Sequence, residues 1–389
     1  MQISQRIRQI SPFHVMNILA RAKQLEADGY DVIHLEVGEP DFATPQVVRN
    51  AAKKAIDEGR THYTPAMGLP QLRSKISNYY KEQLSADVSA KNILVTPGAS
   101  GALQLVLSAI IDPGQKILMA DPGYPCNRHF VRMLEACAKS IAVSADTQFQ
   151  LTHQLIREHW DSETVAVMLA SPSNPTGTLI TREEMQQIIA VVDELGGVLI
   201  VDEIYQGLVY DQKDFTVAEY STNVFVINSF SKYFSMTGWR LGWLIAPSEY
   251  IDVIDRLAQN LFLAAPTISQ YAALAALDAE AICIYEQQKN ELRMRRDFLV
   301  AGMTKLGFVI SVKPGGAFYI YADVSKFTDD SFTFCSDLLE QVQVAITPGI
   351  DFGEHQAARY VRFAYTQPID KLQQALDRLA RFLLPQGLK

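Results

Sequence analysis

A lysine with unusual neighbours follows an apolar run in the second half of the chain. The run covers residues 224–227, and Lys232 lies in the segment NSFSKYFSMTGWR that comes directly after it. A lysine amine attacks carbonyl groups when its surroundings lower its pKa, and Ser229, Ser231 and Arg240 could hold a phosphate beside it. Most lysines after a strand are solvated, so the segment alone gives a hypothesis: a site for a ligand with a carbonyl and a phosphate.

Polar or aromatic residues follow four further apolar runs. They are Ser100 after residues 93–95, Tyr124 after 116–120, Asn174 after 164–170 and Asp202 after 198–201. The carboxyl ends of strands in an open parallel sheet form the usual ligand crevice, so we expect these side chains to lie together there. Each polar residue also has a structural interpretation: Ser100 could cap a helix, and Asn174 could be a turn residue before proline. Tyr124 could be a packing residue.

Two charged residues stand in or beside apolar strands. Asp202 ends such a strand, and a buried carboxylate is costly unless a cation pairs with it; a protonated pyridine nitrogen would serve. Tyr205 lies three residues later and could reach the same ring from another side. Arg362, within the run 360–364, suits a bidentate grip on a substrate α-carboxylate. A structural ion pair is the alternative for this arginine.

Strands and helices alternate from residue 92 onwards, which predicts an α/β fold with a mostly parallel sheet. The runs are short and apolar throughout, as expected for strands covered on both faces. The predicted strands are 93–95, 116–120, 140–143, 164–170, 198–201, 224–227 and 241–245, and the predicted helices between them are 100–111, 128–136 and 183–195.

The pattern changes near residue 280. A long charged helix over 282–306 precedes two paired strands, 308–312 and 317–322, joined by the sequence KPGG. A helix from Ser331, a strand over 360–364 and a last helix over 369–384 follow. We therefore expect a large domain over 46–281 and a smaller α+β domain formed by 282–389 together with 1–45, whose first residues are an N-terminal arm.

Composition narrows the possible partners. The 389 residues are 48% hydrophobic with a net charge of -8, so the chain can bury a large core but lacks the clustered cations of a nucleic-acid binder. No apolar run approaches the roughly 18 residues of a membrane span, and no signal-type apolar core is apparent, so we expect no membrane association and a cytoplasmic location. The four cysteines lack paired spacing, which favours reduced thiols and disfavours a metal site.

Taken together, the motifs resemble those of one enzyme family. They are GEPDF at 38–42, NPTG at 174–177, DEIY at 202–205, SFSK at 229–232 and GWR at 238–240, with Arg362 near the C-terminus. This set, in this order, resembles the class I/II aminotransferases, which are fold type I enzymes dependent on pyridoxal 5'-phosphate (PLP). The resemblance covers about residues 30 to 385 and implies an α/β fold with a large PLP-binding domain and a smaller domain.

The resemblance also implies a role for each matching residue. Lys232 would bond covalently to PLP and later shuttle a proton, and Asp202 would keep the pyridine nitrogen protonated. The other implied PLP contacts are Tyr205 and Asn174 on the phenolic oxygen, Tyr124 stacked on the ring, and the Ala99 N–H, Ser100, Ser229 and Arg240 on the phosphate. Tyr63 would reach that phosphate from the neighbouring subunit of a homodimer. Arg362 and Asn174, with the Gly38 backbone, would grip the substrate α-carboxylate.

The expected reaction moves the amino group of an L-amino acid to a 2-oxo acid, with 2-oxoglutarate as the expected acceptor. Some aspartate-using relatives carry a lysine where this chain has Ser100, which leaves aspartate in doubt as donor and favours neutral side chains. Phe13, His14 and Phe318 are candidates for the side-chain pocket. One alternative is a fold type I β-lyase, which shares these motifs. Another is a non-catalytic PLP-binding regulator, but such a protein would need a DNA-binding module, and the residues before 30 are too few to form one.

Overall fold

The computed structural model describes residues 3–10 and 12–383 and has an α/β architecture. The strands are β1 (Ile33–His34), β2 (Ile93–Thr96), β3 (Lys116–Asp121), β4 (Cys137–Ala142), β5 (Thr164–Ala170), β6 (Val198–Asp202), β7 (Phe225–Ser229), β8 (Gly242–Ile245), β9 (Tyr319–Asp323), β10 (Val344–Ala345), β11 (Thr347–Pro348) and β12 (Tyr360–Ala364). The α-helices are α1 (His14–Ala27), α2 (Gln46–Asp57), α3 (Pro70–Leu84), α4 (Gly98–Ile110), α5 (Pro125–Met133), α6 (His153–His159), α7 (Arg182–Glu194), α8 (Ile251–Leu261), α9 (Thr267–Ala276), α10 (Ala279–Lys305), α11 (Ser331–Val342) and α12 (Ile369–Leu383).

A seven-stranded sheet organises the fold, in the order β2-β8-β7-β6-β5-β3-β4. Strand β8 runs antiparallel to both of its neighbours, and the other pairings in the sheet are parallel. This confirms the predicted α/β fold with a mostly parallel sheet. From β5 the chain proceeds through β6 to β7 on one side, whereas β3 and β4 lie on the other side. A reversal of this kind opens a crevice at the carboxyl ends of the strands.

Both faces of this sheet are buried, which explains the unbroken apolar runs. Successive side chains of a strand point to opposite faces, and here they enter two hydrophobic clusters. Val95 and Val201 belong to one cluster, whereas Leu94 and Ile200 belong to the other, which also contains Leu103 of α4. The strands are therefore held rigidly between two layers, and their carboxyl ends are fixed in relation to one another.

Two smaller sheets lie elsewhere in the chain. Strands β11, β12 and β9 form an antiparallel sheet, and β1 pairs with β10 in parallel. The predicted strand pair 308–312 and 317–322 was wrong in its first member, because Val309 forms only an isolated bridge with Asp323. The backbone N–H groups of Gly315 and Gly316 both donate to the Gly177 carbonyl at 2.9 Å. The connecting segment is therefore paired with the turn after β5 and does not close a hairpin.

Within residues 3–10 and 12–383, no helix is both long enough and apolar enough to cross a membrane.

Candidate functional site

One cavity of about 260 Å³ lies at the carboxyl ends of the central strands. The residues predicted to hold the cofactor and the substrate carboxylate line it, except for Tyr63: Gly38, Ala99, Ser100, Tyr124, Asn174, Asp202, Tyr205, Ser229, Lys232, Arg240 and Arg362. These residues come from eight separate segments of the sequence, and the ends of β5, β6 and β7 bring three of those segments side by side. The structure therefore brings these residues together, while their roles stay predictions.

Lys232 lies just beyond β7, and its amine faces the opposite wall of the cavity. Its Nζ donates a hydrogen bond to the Gly38 carbonyl at 2.6 Å. Burial lowers the pKa of Lys232 to about 8, an effect that Glu39 opposes and that the positive charge of Arg362 reinforces. More of this amine is therefore neutral near physiological pH than in an exposed lysine, which favours its use as a nucleophile or a base.

Asp202 ends β6 and is only 7% exposed. Its Oδ1 accepts a hydrogen bond from the Ile204 N–H at 3.0 Å. Burial raises the pKa of Asp202 to about 6, although this N–H and the charge of Lys232 both favour the carboxylate. A buried acid on a cavity wall has the environment that a cationic N–H group of a ligand would complete.

An anion site lies where α4 begins. The free backbone N–H groups of a helix N-terminus attract anions, and Ala99 and Ser100 lie in this first turn. A Cβ at Gly98 would come within 2.6 Å of the Arg240 guanidinium, so only glycine lets the arginine approach the helix end. Ser229 lies beside this end, and its Oγ accepts a hydrogen bond from the Ser231 N–H at 3.0 Å. The arrangement suits a phosphate group.

Tyr319 is a residue of the site that the sequence analysis missed. Its hydroxyl lies 2.8 Å from that of Tyr205. A Cβ at Gly38 would fall 1.9 Å from Tyr319 Oη, so the loop carrying Gly38 can pass here only with a glycine. The sequence offers one indication of its role, since Tyr319 follows the pocket candidate Phe318 in a predicted strand. Its contact with Gly38 could not be predicted, because the two residues lie far apart in the sequence.

Arg362 lies on β12 and is 3% exposed. Its Nη1 donates to Asn174 Oδ1 at 2.9 Å, and its Nη2 donates to Thr347 Oγ1 at 3.2 Å and to the Glu36 carbonyl. The guanidinium also lies 4.3 Å from the ring centroid of Tyr319. Its buried Nε has no hydrogen-bond partner among the described residues. A donor left unpaired in a buried site indicates room for an anionic ligand.

Helix α1 supplies an apolar wall of the same cavity through Phe13, Val15, Met16 and Leu19. Tyr124 packs edge-to-face on Phe13, with ring centroids 6.4 Å apart. The other two candidates for the side-chain pocket lie differently. His14 packs against Phe332, with ring centroids 5.2 Å apart, and does not line the cavity. Its backbone N–H donates to Asp351 Oδ1 at 2.8 Å, which holds the start of α1 in place. Phe318 is buried against Tyr205 at 5.4 Å.

Tyr63, predicted to reach the phosphate of a neighbouring subunit, also lies outside the cavity. Its side chain is 83% exposed on the loop between α2 and α3. No group of three or more His, Cys, Asp or Glu side chains in the described part of the chain is arranged to hold a metal ion.

Comparison with known proteins identifies the family. The model for aminotransferase class I and II matches residues 30–379. The (5-formylfuran-3-yl)methyl phosphate transaminase of Methanocaldococcus jannaschii is 39% identical over 98% of this chain and 99% of its own. Valine–pyruvate aminotransferase of Mycobacterium tuberculosis is 37% identical over 97% of each chain. The crystal structure of an aminotransferase from Mycobacterium tuberculosis has a TM-score of 0.95 at 36% identity, covering 99% of this chain and 100% of that one. The chain therefore belongs to the class I and II aminotransferases and has their fold type I architecture.

Proposed function

We propose that this aminotransferase binds PLP in the 260 Å³ cavity and moves the amino group of a neutral L-amino acid to a 2-oxo acid. The observation that carries the proposal is the pairing of a buried amine, Lys232, with a buried acid, Asp202, in one cavity that also has an anion site. An aldehyde, a pyridine nitrogen and a phosphate are the three parts of PLP that these three features fit.

The residues present would hold each part of the cofactor. Asp202 would accept a hydrogen bond from the protonated ring nitrogen. The Asn174 amide, whose Oδ1 is taken by Arg362, would donate from Nδ2 to the phenolic oxygen together with Tyr205. Tyr124 would stack on the ring. The phosphate would lie against the Ala99 N–H, Ser100, Ser229 and Arg240, with Tyr63 added by a second copy of the chain.

When bound, PLP supplies an aldehyde that bonds amines and a ring that withdraws electrons from the substrate Cα. Asp202 would keep the ring nitrogen protonated, which would strengthen the withdrawal. Lys232 would anchor the cofactor through Nζ and, once displaced by the substrate amine, would take the proton from the substrate Cα and deliver it to the former aldehyde carbon of the cofactor. Its lowered pKa, about 8, suits an amine that must both accept and release a proton near neutrality.

The substrate carboxylate would bind at Arg362. The guanidinium is nearly fully buried, and its unpaired Nε leaves a cationic donor for a carboxylate, which the Gly38 backbone would help to hold. An arginine fork binds a carboxylate through two parallel hydrogen bonds and so fixes the direction of the Cα–H bond.

The cavity walls favour a neutral donor. Lys232, Arg240 and Arg362 are the cationic side chains among the described residues that line it, and each already has a proposed role. The remaining wall, from α1, is apolar. The name of valine–pyruvate aminotransferase supports a neutral donor as well. We propose 2-oxoglutarate as the acceptor, with pyruvate, which that relative's name gives, as the second acceptor to test.

We further propose a cytoplasmic homodimer with both active sites at the subunit interface, and a division into a large domain over 46–281 and a small domain over 1–45 and 282–389. Two observations support the dimer. Tyr63 is exposed, and within one chain it does not line the cavity.

Initial rates with a panel of neutral, aromatic and acidic donors, each against both acceptors, test the reaction. Because both substrates use Arg362 in turn, double-reciprocal plots should give parallel lines, the mark of a ping-pong cycle. Intersecting lines would contradict the ping-pong cycle, and continuous product formation without any 2-oxo acid would favour a lyase.

A further inference from the structure

A buried arginine that does not line the cavity holds the loop that contacts Lys232. Arg295 lies in the middle of α10 and is 3% exposed. Its Nη1 donates to Asp41 Oδ1 at 2.7 Å, and its Nη2 donates to Asp41 Oδ2 at 3.2 Å. This is a bidentate, partly desolvated ion pair, the arrangement in which an arginine fixes a carboxylate most firmly.

The same guanidinium reaches the segment that follows Arg362. Nη1 of Arg295 also donates to the Thr366 carbonyl at 2.6 Å, just after β12. Its Nε donates to Glu291 Oε1 at 3.1 Å, and the ring of Phe42 lies 4.9 Å away. Arg295 therefore joins the loop over 38–42 to the strand that carries the substrate-binding arginine.

That loop meets Lys232 directly. Gly38 at its start accepts the hydrogen bond from Lys232 Nζ. The charge of the next residue, Glu39, favours the protonated amine and so opposes the lowering of its pKa. Because a Cβ at Gly38 would collide with Tyr319, the loop has little freedom at this end. At the other end of the loop, Asp41 forms the ion pair with Arg295 of α10.

We propose that Arg295 is a positioning residue, which by holding Asp41 fixes the 38–42 loop against Lys232 and keeps water from its amine. This inference rests on the proposed function for its kinetic consequence, but the contact between the loop and Lys232 is independent of the reaction. The charged groups that act on Lys232 besides Glu39 are Arg362, Arg240 and Asp202.

The chain offers a matched control in the neighbouring residue. Arg296 is fully buried on the same helix and is also ion-paired, with Asp211 at 2.7 Å and with Asp297. Its Nη1 donates to the Pro314 carbonyl at 2.9 Å, and it has no contact with the 38–42 loop among its described hydrogen bonds and ion pairs. Arg295→Met and Arg296→Met therefore each remove one buried arginine from α10, but only the first releases Asp41.

Competitive labelling of the apoprotein tests the proposal without the cofactor. Trace acetic anhydride is added between pH 7 and 11, and the labelling of Lys232 is compared by mass spectrometry with that of the exposed Lys54, whose side chain is 76% accessible. Since burial is the main cause of the low pKa of Lys232, entry of water should raise the labelling midpoint by about one pH unit in Arg295→Met. Asp41→Asn should also raise the labelling midpoint, and Arg295→Lys should raise it less than Arg295→Met does. Arg296→Met should match the wild type.

The kinetic measurement is a second, separable one. In the PLP-loaded protein, kcat/KM for a neutral donor should fall about tenfold in Arg295→Met and less than about twofold in Arg296→Met. An unchanged labelling midpoint in both Arg295→Met and Asp41→Asn, or an equal shift in Arg296→Met, overturns the positioning role. Asp41→Asn decides the matter if Arg295→Met does not fold. Absence of transamination by the wild type would reject the proposed function, while the labelling midpoints would still decide the role of Arg295.

Discussion

Arg362 Nη1 donates a hydrogen bond to Asn174 Oδ1 at 2.9 Å. Arg362 lies on β12 of the three-stranded sheet and Asn174 follows β5 of the seven-stranded sheet, so this contact joins the two sheets inside the cavity. Because Oδ1 is the acceptor, the Nδ2 amide of Asn174 is the group left to donate to a ligand. The orientation of the asparagine therefore depends on the arginine.

Replacing Arg362 with lysine should weaken binding of both substrates. A lysine ammonium cannot form the two parallel hydrogen bonds of the fork and would also release Asn174, so we expect a loss of roughly 3 kcal/mol in transition-state binding, measured as kcat/KM for donor and acceptor alike. Arg359→Lys, at an exposed arginine just before β12, is the control and should change kcat/KM little. A loss confined to one of the two substrates would contradict a shared carboxylate site.

Replacing Lys232 with alanine should abolish turnover while leaving PLP bound without a covalent link. Asp202 and the anion site at α4 remain in this variant, so the cofactor should still bind. Its binding should be weaker, and dialysis should remove it. Absorbance before and after borohydride treatment separates the two modes, because only a covalently linked cofactor is trapped on the chain. Turnover at the wild-type rate would remove Lys232 from the mechanism.

The main features of the site could be predicted from the sequence because they lie at strand ends. Asn174, Asp202 and Lys232 each follow an apolar run, and the alternation of strands and helices is enough to place such residues at one edge of a sheet. Contacts between distant segments could not be predicted this way. The approach of Tyr319 to Gly38 and the bond between Arg295 and Asp41 depend on how β9 and α10 pack.

The same limit explains the errors in the fold. Residues 308–312 are mostly apolar, which is typical of a strand, but Gly315 and Gly316 bond to Gly177, so the expected hairpin does not form. The sequence predicts no helix at α6, α8 or α9. Strands β10 and β11 were also missed, since each has only two residues and is defined by its partner and not by its own pattern.

The stability of the apoprotein should fall as the pH rises from about 5 to 8, in part because of Glu203. This side chain is 3% exposed and accepts hydrogen bonds from Thr216 and Val217, yet burial raises its pKa to about 8. Its folded pKa exceeds its unfolded pKa, so between the two values the folded state binds more protons, and stability declines with rising pH. Each unit between the two pKa values corresponds to roughly 1.4 kcal/mol.

Urea unfolding of the apoprotein at pH 5 and pH 8 measures this decline. Glu203→Gln retains a hydrogen-bond acceptor without a charge and should lose less stability over this interval than the wild type does. Glu82→Gln, on the exposed face of α3, is the control and should follow the wild type. A decline that is as steep in Glu203→Gln would show that other groups cause it.

Tyr63→Phe should weaken retention of PLP if a second subunit completes the phosphate site. The loss of one hydrogen bond corresponds to about 1 kcal/mol, or about a fivefold rise in the dissociation constant. Tyr30→Phe, at another exposed tyrosine, should leave the constant unchanged. Sedimentation of the wild type should give a dimer, and a fully active monomer at micromolar concentration would refute this account of Tyr63.

The most direct test of the central claim is a single turnover with one neutral donor and no 2-oxo acid. The PLP-loaded protein is mixed with excess L-valine or L-alanine, and the absorbance of the cofactor and the released 2-oxo acid are followed together. A transaminase should convert its cofactor to the amine form, release about one 2-oxo acid per active site and then stop until an acceptor is added. Continuous release of pyruvate and ammonia from a cysteine-type substrate, with no conversion of the cofactor by any donor, would contradict the account and make the protein a β-lyase.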